Sequence, residues 1–175
     1  GISNNLLYTT TSPIQAYFDG ELQTEQYKLY SFFVFGLSPN FDTLLVQDNL
    51  PNPYRDSVLG IRLINLSPNS NPLSLTIASD TKVNIFSGIV YKRLTDFVTI
   101  PLPGNVTTNA VTFQVRDAIT NNVLTTYTLP LTPNSTYLNI GINKSRFMNL
   151  TLVVRGLQGT TSGSSAIGLF PVANY

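Results

Sequence analysis

Apolar and polar residues alternate along most of this chain with the period of a strand. Val111, Phe113 and Val115 interleave with Thr112, Gln114 and Arg116, a period of two that predicts one row of side chains in a core and one row in water. The pattern resumes from Val123 to Leu131 after Asn121-Asn122, which predicts a hairpin. Further strands are predicted over Leu59–Leu66, Leu73–Ile77, Lys82–Phe86, Phe97–Leu102, Thr136–Ile142 and Leu150–Arg155. Between them stand the turn sequences Ser67-Pro68-Asn69, Pro103-Gly104-Asn105, Pro133-Asn134 and Lys144-Ser145. No window carries an amphipathic helical stripe. Short, closely spaced strands with polar turns predict an all-β fold, an immunoglobulin-like Greek-key β-sandwich.

The pattern repeats at a constant offset of 107 positions, Leu22–Leu50 against Leu129–Leu157. Tyr30 falls on Tyr137, Phe33 and Phe35 on Ile140 and Ile142, Leu45 and Val46 on Leu152 and Val153, and Leu50 on Leu157. A repeat of about 100 residues is the size of one sandwich module. The chain therefore reads as a partial N-terminal module over 1–57, a complete module over 58–157, and a linker with a C-terminal strand over 158–175. Gly159–Ser165 is rich in Gly, Ser and Thr and reads as a flexible linker. The apolar run Ala166–Val172 is expected to complete the partial module, with Ile167–Phe170 pairing a strand within residues 5–50, because a half-module's uncovered edge invites aggregation.

Aromatic residues set the two copies apart. In the second, Leu138, Ile140 and Ile142 alternate with Tyr137, Asn139, Gly141 and Asn143, as in a strand with one wet face. In the first, Phe33 and Phe35 keep the core face, and Tyr30, Phe32 and Val34 occupy the face that should be wet. Something must cover them: the neighbouring module, or a sugar or protein partner that uses them as an aromatic platform. Tyr30, Phe32 and Val34 are thus the candidate binding or interdomain face.

Composition narrows the class. A chain of 175 residues buries roughly 70% of its unfolded surface, enough to hold a core without disulfides. The absence of cysteine suits a reducing compartment, or an envelope protein whose core needs no staple. Charged residues make up 11% against the usual ~25%, and Asn, Ser and Thr crowd the loops, as expected of an exported protein. Lys92 with Arg93 and Lys144 with Arg146 are the only close basic pairs at a net charge of +1, too few for a nucleic-acid-binding stripe. No apolar run reaches membrane-spanning length and no Met precedes Gly1, so an export signal or lipid anchor is expected upstream.

Candidate chemistry is sparse. Without His or Cys, Ser-His and Cys-His triads and imidazole metal sites are excluded. There is no P-loop, and Gly159-Thr-Thr-Ser162-Gly163 misplaces the serine of a nucleophile elbow. Asp19 and Glu21 around Gly20 form the one tight acidic pair; an Asp-Gly hairpin turn is the leading reading, with a calcium ligand or a glycosidase carboxylate pair as alternatives. Asp117 reads as a turn residue, and Arg62 and Arg116 as outward-facing charges rather than ligand clamps. The five Asn-x-Ser/Thr sequences, at Asn65, Asn105, Asn134, Asn143 and Asn149, read as turn chemistry. No cofactor or metal is expected.

The run Gly60-Ile-Arg-Leu-Ile-Asn-Leu-Ser-Pro68, the alternating Leu73-Ser-Leu-Thr-Ile77, the stretch Tyr91 to Leu102 and the hairpin Val111 to Leu131 with Arg116-Asp117-Ala118 at its bend resemble the bacterial family called domain of unknown function 4397. The resemblance covers about Leu59–Leu157, with Tyr27–Leu50 as the tail of a preceding copy. It departs from the family at Leu75–Asp80, which lacks the Gly of the usual strand and turn. It implies immunoglobulin-like modules, often in tandem, in exported or lipid-anchored envelope proteins of Gram-negative bacteria, without catalytic residues. Asp42-Thr43-Leu44 and Asp56-Ser57-Val58 resemble the O-glycosylation acceptor pattern of some envelope proteins from such bacteria, with ordinary loop residues as the leading reading. The expected function is a non-catalytic cell-envelope protein with a structural, adhesive or binding role and a surface glycan or envelope protein as partner. The alternatives are a carbohydrate-binding accessory lipoprotein, a fimbrial subunit assembled by strand donation, and a small glycosidase-like enzyme.

Overall fold

The computed structural model describes residues 2–9, 16–52, 54, 58–102, 110–131 and 148–174. Every regular element among them is a strand: β1 (Ile2–Thr9), β2 (Ala16–Thr24), β3 (Tyr30–Leu37), β4 (Asn40–Gln47), β5 (Val58–Asn65), β6 (Leu73–Ile77), β7 (Asp80–Ile89), β8 (Val98–Pro101), β9 (Ala110–Asp117), β10 (Val123–Pro130), β11 (Asn149–Arg155) and β12 (Gly168–Asn174). They form two compact units, Gly1–Asn49 and Leu50–Tyr175.

In the second unit the strands predicted from alternation are present, β6 with its expected bounds and β9 with β10 as a hairpin. Thr136–Ile142 lies outside the described residues. Two four-stranded sheets, ordered β10-β9-β6-β7 and β12-β11-β5-β8, face each other across one core in a sandwich-like arrangement. Leu59, Ile61 and Leu63 of β5, Leu73 and Leu75 of β6, and Phe113 of β9 are fully buried in that core. In the immunoglobulin arrangement the first strand lies beside the second. Here β5 lies between β8, which it pairs antiparallel, and β11, which it pairs parallel from Gly60 opposite Asn149 to Asn65 opposite Val154. Its successor β6 belongs to the other sheet.

A central strand with both faces covered reads as a near-continuous apolar run, and β5 is buried from Leu59 through Asn65. Gly60 is required there by close approach. The Tyr54 hydroxyl donates to Asn149 Oδ1 at 2.7 Å, and a Cβ on Gly60 would overlap both of those groups. Burial pushes the Tyr54 phenol pKa up, as expected of a hydroxyl that gives its proton to a neighbouring amide.

The C-terminal strand does not complete the first unit. β12 pairs antiparallel with β11 along its whole length, Arg155 opposite Gly168 to Asn149 opposite Asn174, and sends Leu169 into the core. The intervening segment explains why. Leu157 N donates to Ser165 O at 2.8 Å, Thr160 N to Leu157 O at 3.2 Å and Ile167 N to Thr160 O at 3.3 Å. Gly159–Ser165 is therefore part of a closed loop that turns the chain straight back, the behaviour of a compact Ω-type loop rather than of a linker. Residues 158–175 belong to the second unit, and the boundary between units falls after Asn49 rather than at 57.

The first unit consists of two antiparallel hairpins, β1 with β2 and β3 with β4. The offset repeat does not extend to pairing. β4 pairs with β3, whereas β11, which the repeat sets in the same place, pairs with β12 and β5; residues 137–143 lie outside the described residues.

Removing Gly168–Tyr175 from the full chain is expected to expose the edge of β11 and part of the core, and so to convert soluble monomer into aggregate. Size-exclusion chromatography checks it; a monomer with unaltered melting would contradict the assignment of β12.

Candidate functional site

At one end of the second unit three loops are tied to a single carboxylate. Asp117, the last residue of β9, is 2% exposed. Its Oδ1 accepts from the backbone N–H of Ile119 at 2.8 Å and of Thr120 at 3.2 Å, which shapes the β9–β10 turn as an Asx turn. Its Oδ2 accepts from Asn71 Nδ2 at 2.9 Å, in the loop before β6, and from Gln158 Nε2 at 2.8 Å, in the loop after β11. Gln158 also accepts from Asn71 N at 2.9 Å, and the Asn69 side chain brackets its backbone, accepting from Gln158 N at 2.9 Å and donating to Gln158 O at 3.1 Å. The Asn71 amide first, with the Ile119, Thr120 and Gln158 donors, holds the Asp117 carboxyl far below the ordinary carboxylate range, against burial, which raises it. A carboxylate fixed in its ionised form with both oxygens occupied has no proton to give and no place for a metal. It serves as the anchor of the loop end.

The Asn65-x-Ser67-Pro68 sequence meets the same end. Asn65, fully buried, accepts from Ser67 N at 3.0 Å and gives its two amide protons to Ser70 Oγ at 3.0 Å and Ile89 O at 3.1 Å. Asn149 is likewise buried under Tyr54. Both are structural amides, as the turn reading expects of Asn65; Asn149 instead stands in a strand. Asn105, Asn134 and Asn143 lie outside the described residues.

Tyr30, Phe32 and Val34 fall on one face of β3, in the first unit. Phe18 of β2 packs edge-on against Phe32 with ring centroids 5.0 Å apart, so the unit's own first hairpin covers the middle of that face. The Tyr30 hydroxyl accepts from Glu25 N at 3.2 Å. Val34 stays 38% exposed. Asp19-Gly20-Glu21 is no turn: the three residues lie inside β2, opposite Leu7, Leu6 and Asn5. Gly20 is there to make room, since its Cβ would stand 3.1 Å from the Phe18 ring. Asp19 and Glu21 share one exposed face of the strand, and among the described residues no group of three or more acidic, His or Cys side chains could hold a metal.

The two strand arginines differ. Arg62 is 2% exposed, against the expectation of an outward charge. Its Nε donates to Thr151 Oγ1 at 2.8 Å and its guanidinium lies 4.6 Å from the centroid of the Phe97 ring, because the face of β5 away from the core is itself covered. Thr151 passes its own hydroxyl proton to Asn174 Oδ1 at 2.6 Å. Sequence reasoning missed this row; the one available signal was an arginine in an otherwise apolar run. Arg116 does face outward. Asp42-Thr43-Leu44 lies in β4 rather than in a loop, and Asp56-Ser57 lies outside the described residues.

A cavity of about 480 Å³ opens at the other end of the second unit, walled by Ile77, Ala78, Ile100, Leu102, Ala110 and Leu131 among others. Its polar groups are few: Ser79, and Thr112, whose hydroxyl pairs with that of Thr128 at 2.9 Å.

No protein-family model matches the sequence, and no curated protein matches it.

Asp117→Asn is expected to set an amide N–H against the donors of Asn71 or Gln158, costing about 2–4 kcal/mol as hydrogen bonds to a charged acceptor are lost. Because the folded-state pKa is lowered, the carboxylate's contribution is complete above its unfolded pKa of about 4 and is lost as pH falls through the folded value. Urea unfolding of both proteins should therefore show a constant difference from neutral pH to about pH 5, shrinking in stronger acid; a difference that grows on acidification would contradict the assignment.

Proposed function

We propose that this protein is a non-catalytic binding module of the bacterial cell envelope, with a structural or adhesive role. The observation that carries this reading is the loop end of the second unit. There the most strongly held carboxylate is consumed in fixing three loops, and what those loops present outward is neutral: Asn69, Thr120, Asn121, and Ile119, which is 71% exposed. Adaptable hydroxyl and amide groups around an apolar contact, on a pre-organised frame, are the make-up of a recognition surface. The low charge of the chain and its Asn- and Thr-rich loops support an exported setting.

The relation to the domain of unknown function 4397 belongs to the same proposal. Its support is that two motifs carrying the resemblance, Asn65-x-Ser67-Pro68 and Arg116-Asp117-Ala118, both shape this loop end. A Greek-key winding is supported by β8, which returns beside β5 after β6 and β7 have paired in the other sheet. Immunoglobulin-like is then meant in the sense of two facing sheets.

The purified chain, offered isolated Gram-negative envelopes and a panel of chromogenic glycosides and esters, is expected to bind envelopes saturably and to turn over none of the substrates. Turnover above that of heat-denatured protein, or binding that does not saturate, would overturn the reading.

A further inference from the structure

The sheet ordered β10-β9-β6-β7 turns Leu73, Leu75, Phe113 and Val115 into the core, so the residues alternating with them make its outer face. The registers set Asn84, Thr76, Gln114 and Thr126 in one row across the four strands, with Ser74 beside Arg116 on one flank and Thr112 beside Thr128 on the other. Strands about 4.8 Å apart and alternate residues about 7 Å apart spread these groups over roughly 15 Å in each direction. Arg116 is the one charge among them, and it is held along the sheet, Nη2 donating to Gln114 Oε1 at 2.7 Å and Nη1 to Asn121 O at 2.9 Å.

Threonine on an outer strand face is ordinary on propensity alone. Two atoms depart from the ordinary. Thr76 is fully buried, and neither its Oγ1 nor the buried Nε of Arg116 has a hydrogen-bond partner among the described residues. Polar atoms left so are costly, and they call for something that bonds to them. Gln114 stands next to both, opposite Thr76 and two residues from Arg116, and is itself half-exposed. A ligand that takes over its amide releases the Arg116 guanidinium that Gln114 Oε1 holds.

The geometry points to this face as the binding site of an uncharged, hydroxyl-rich polymer, a neutral glycan laid across β6 and β9. Gln114, Thr126 and Thr128 meet it directly, and Thr76 Oγ1 and Arg116 Nε are satisfied on binding. The class follows from the groups present. An anionic polymer needs several cations and an apolar segment needs apolar contact area, whereas amides and hydroxyls, which donate and accept alike, match sugar hydroxyls. This assignment rests on the binding-module reading and adds to its loop end a second surface, with a ligand of stated chemistry.

The test is titration of the ¹⁵N-labelled full chain with cellohexaose, maltoheptaose, xylohexaose and chitohexaose, each to about 5 mM, a range that covers weak carbohydrate affinities. At least one is expected to give saturable shifts at the amides of Thr76, Gln114, Arg116 and Thr126. The double variant Gln114→Ala, Thr126→Ala should weaken that binding about tenfold or more with melting unchanged; Thr126→Ala alone, at an exposed position, serves if the double variant melts lower. Saturable shifts confined to the first unit or to the loop end, or no saturation with any of the four glycans, would overturn the assignment. Envelope binding is measured separately, so the binding-module reading can survive that failure, and fails only in its own assay.

Discussion

The parallel pairing of β5 with β11 holds the second unit together. It joins the first described strand of the unit to the seventh across about half of the chain, and it is what makes β12-β11-β5-β8 one sheet rather than two hairpins. On the other side of β5 its groups are taken by β8 and by the segment before it, where Asn65 N donates to Arg93 O at 3.2 Å and Thr95 N to Leu63 O at 2.9 Å. A strand so placed meets no water on either face or edge, so each polar group on it needs a partner. That requirement accounts for Arg62 on Thr151 and Phe97, for Asn65 at the strand's end, and for the glycine at position 60 under Tyr54. Removing one partner of such a group costs more than the bond contributed, because the survivor stays buried.

The same economy marks the edges. β7 departs from regular register at three places against β6, β8 is four residues long and ends on Pro101, and β12 carries Pro171. Bulges, short strands and proline are how sheets discourage a further strand. In the second unit these features weigh against a further strand joining the edges formed by β7, β8 and β12.

Where a side chain's role follows from its own strand, the sequence was readable. Alternation located β6, β9 and β10, and the Asn-x-Ser-Pro and Asp-Ala sequences were rightly taken for turns. What was not readable depends on residues far away in the chain. Asp19-Gly20 has the composition of a turn, yet the glycine answers to the Phe18 ring that packs on Phe32. Gly159–Ser165 has the composition of a linker, yet backbone hydrogen bonds close it into a loop, and that closure decides where β12 goes. Arg62 carries a charge that a lone strand would turn to water, and only the neighbouring β11 and Phe97 make its burial tolerable. On the aromatic face of β3, Phe18 of the first hairpin packs on Phe32, and Val34 stays exposed.

Native-state hydrogen exchange tests the central claim, that β12 is an integral strand of a sandwich closed by β5 and β11. The account predicts that hydrogen-bonded amides of β5, β11 and β12 exchange together, among the slowest in the molecule and only through unfolding of the whole unit, while those of the β3–β4 hairpin exchange through a separate opening. Exchange of β12 in step with β3 and β4, or far faster than β11, would contradict it.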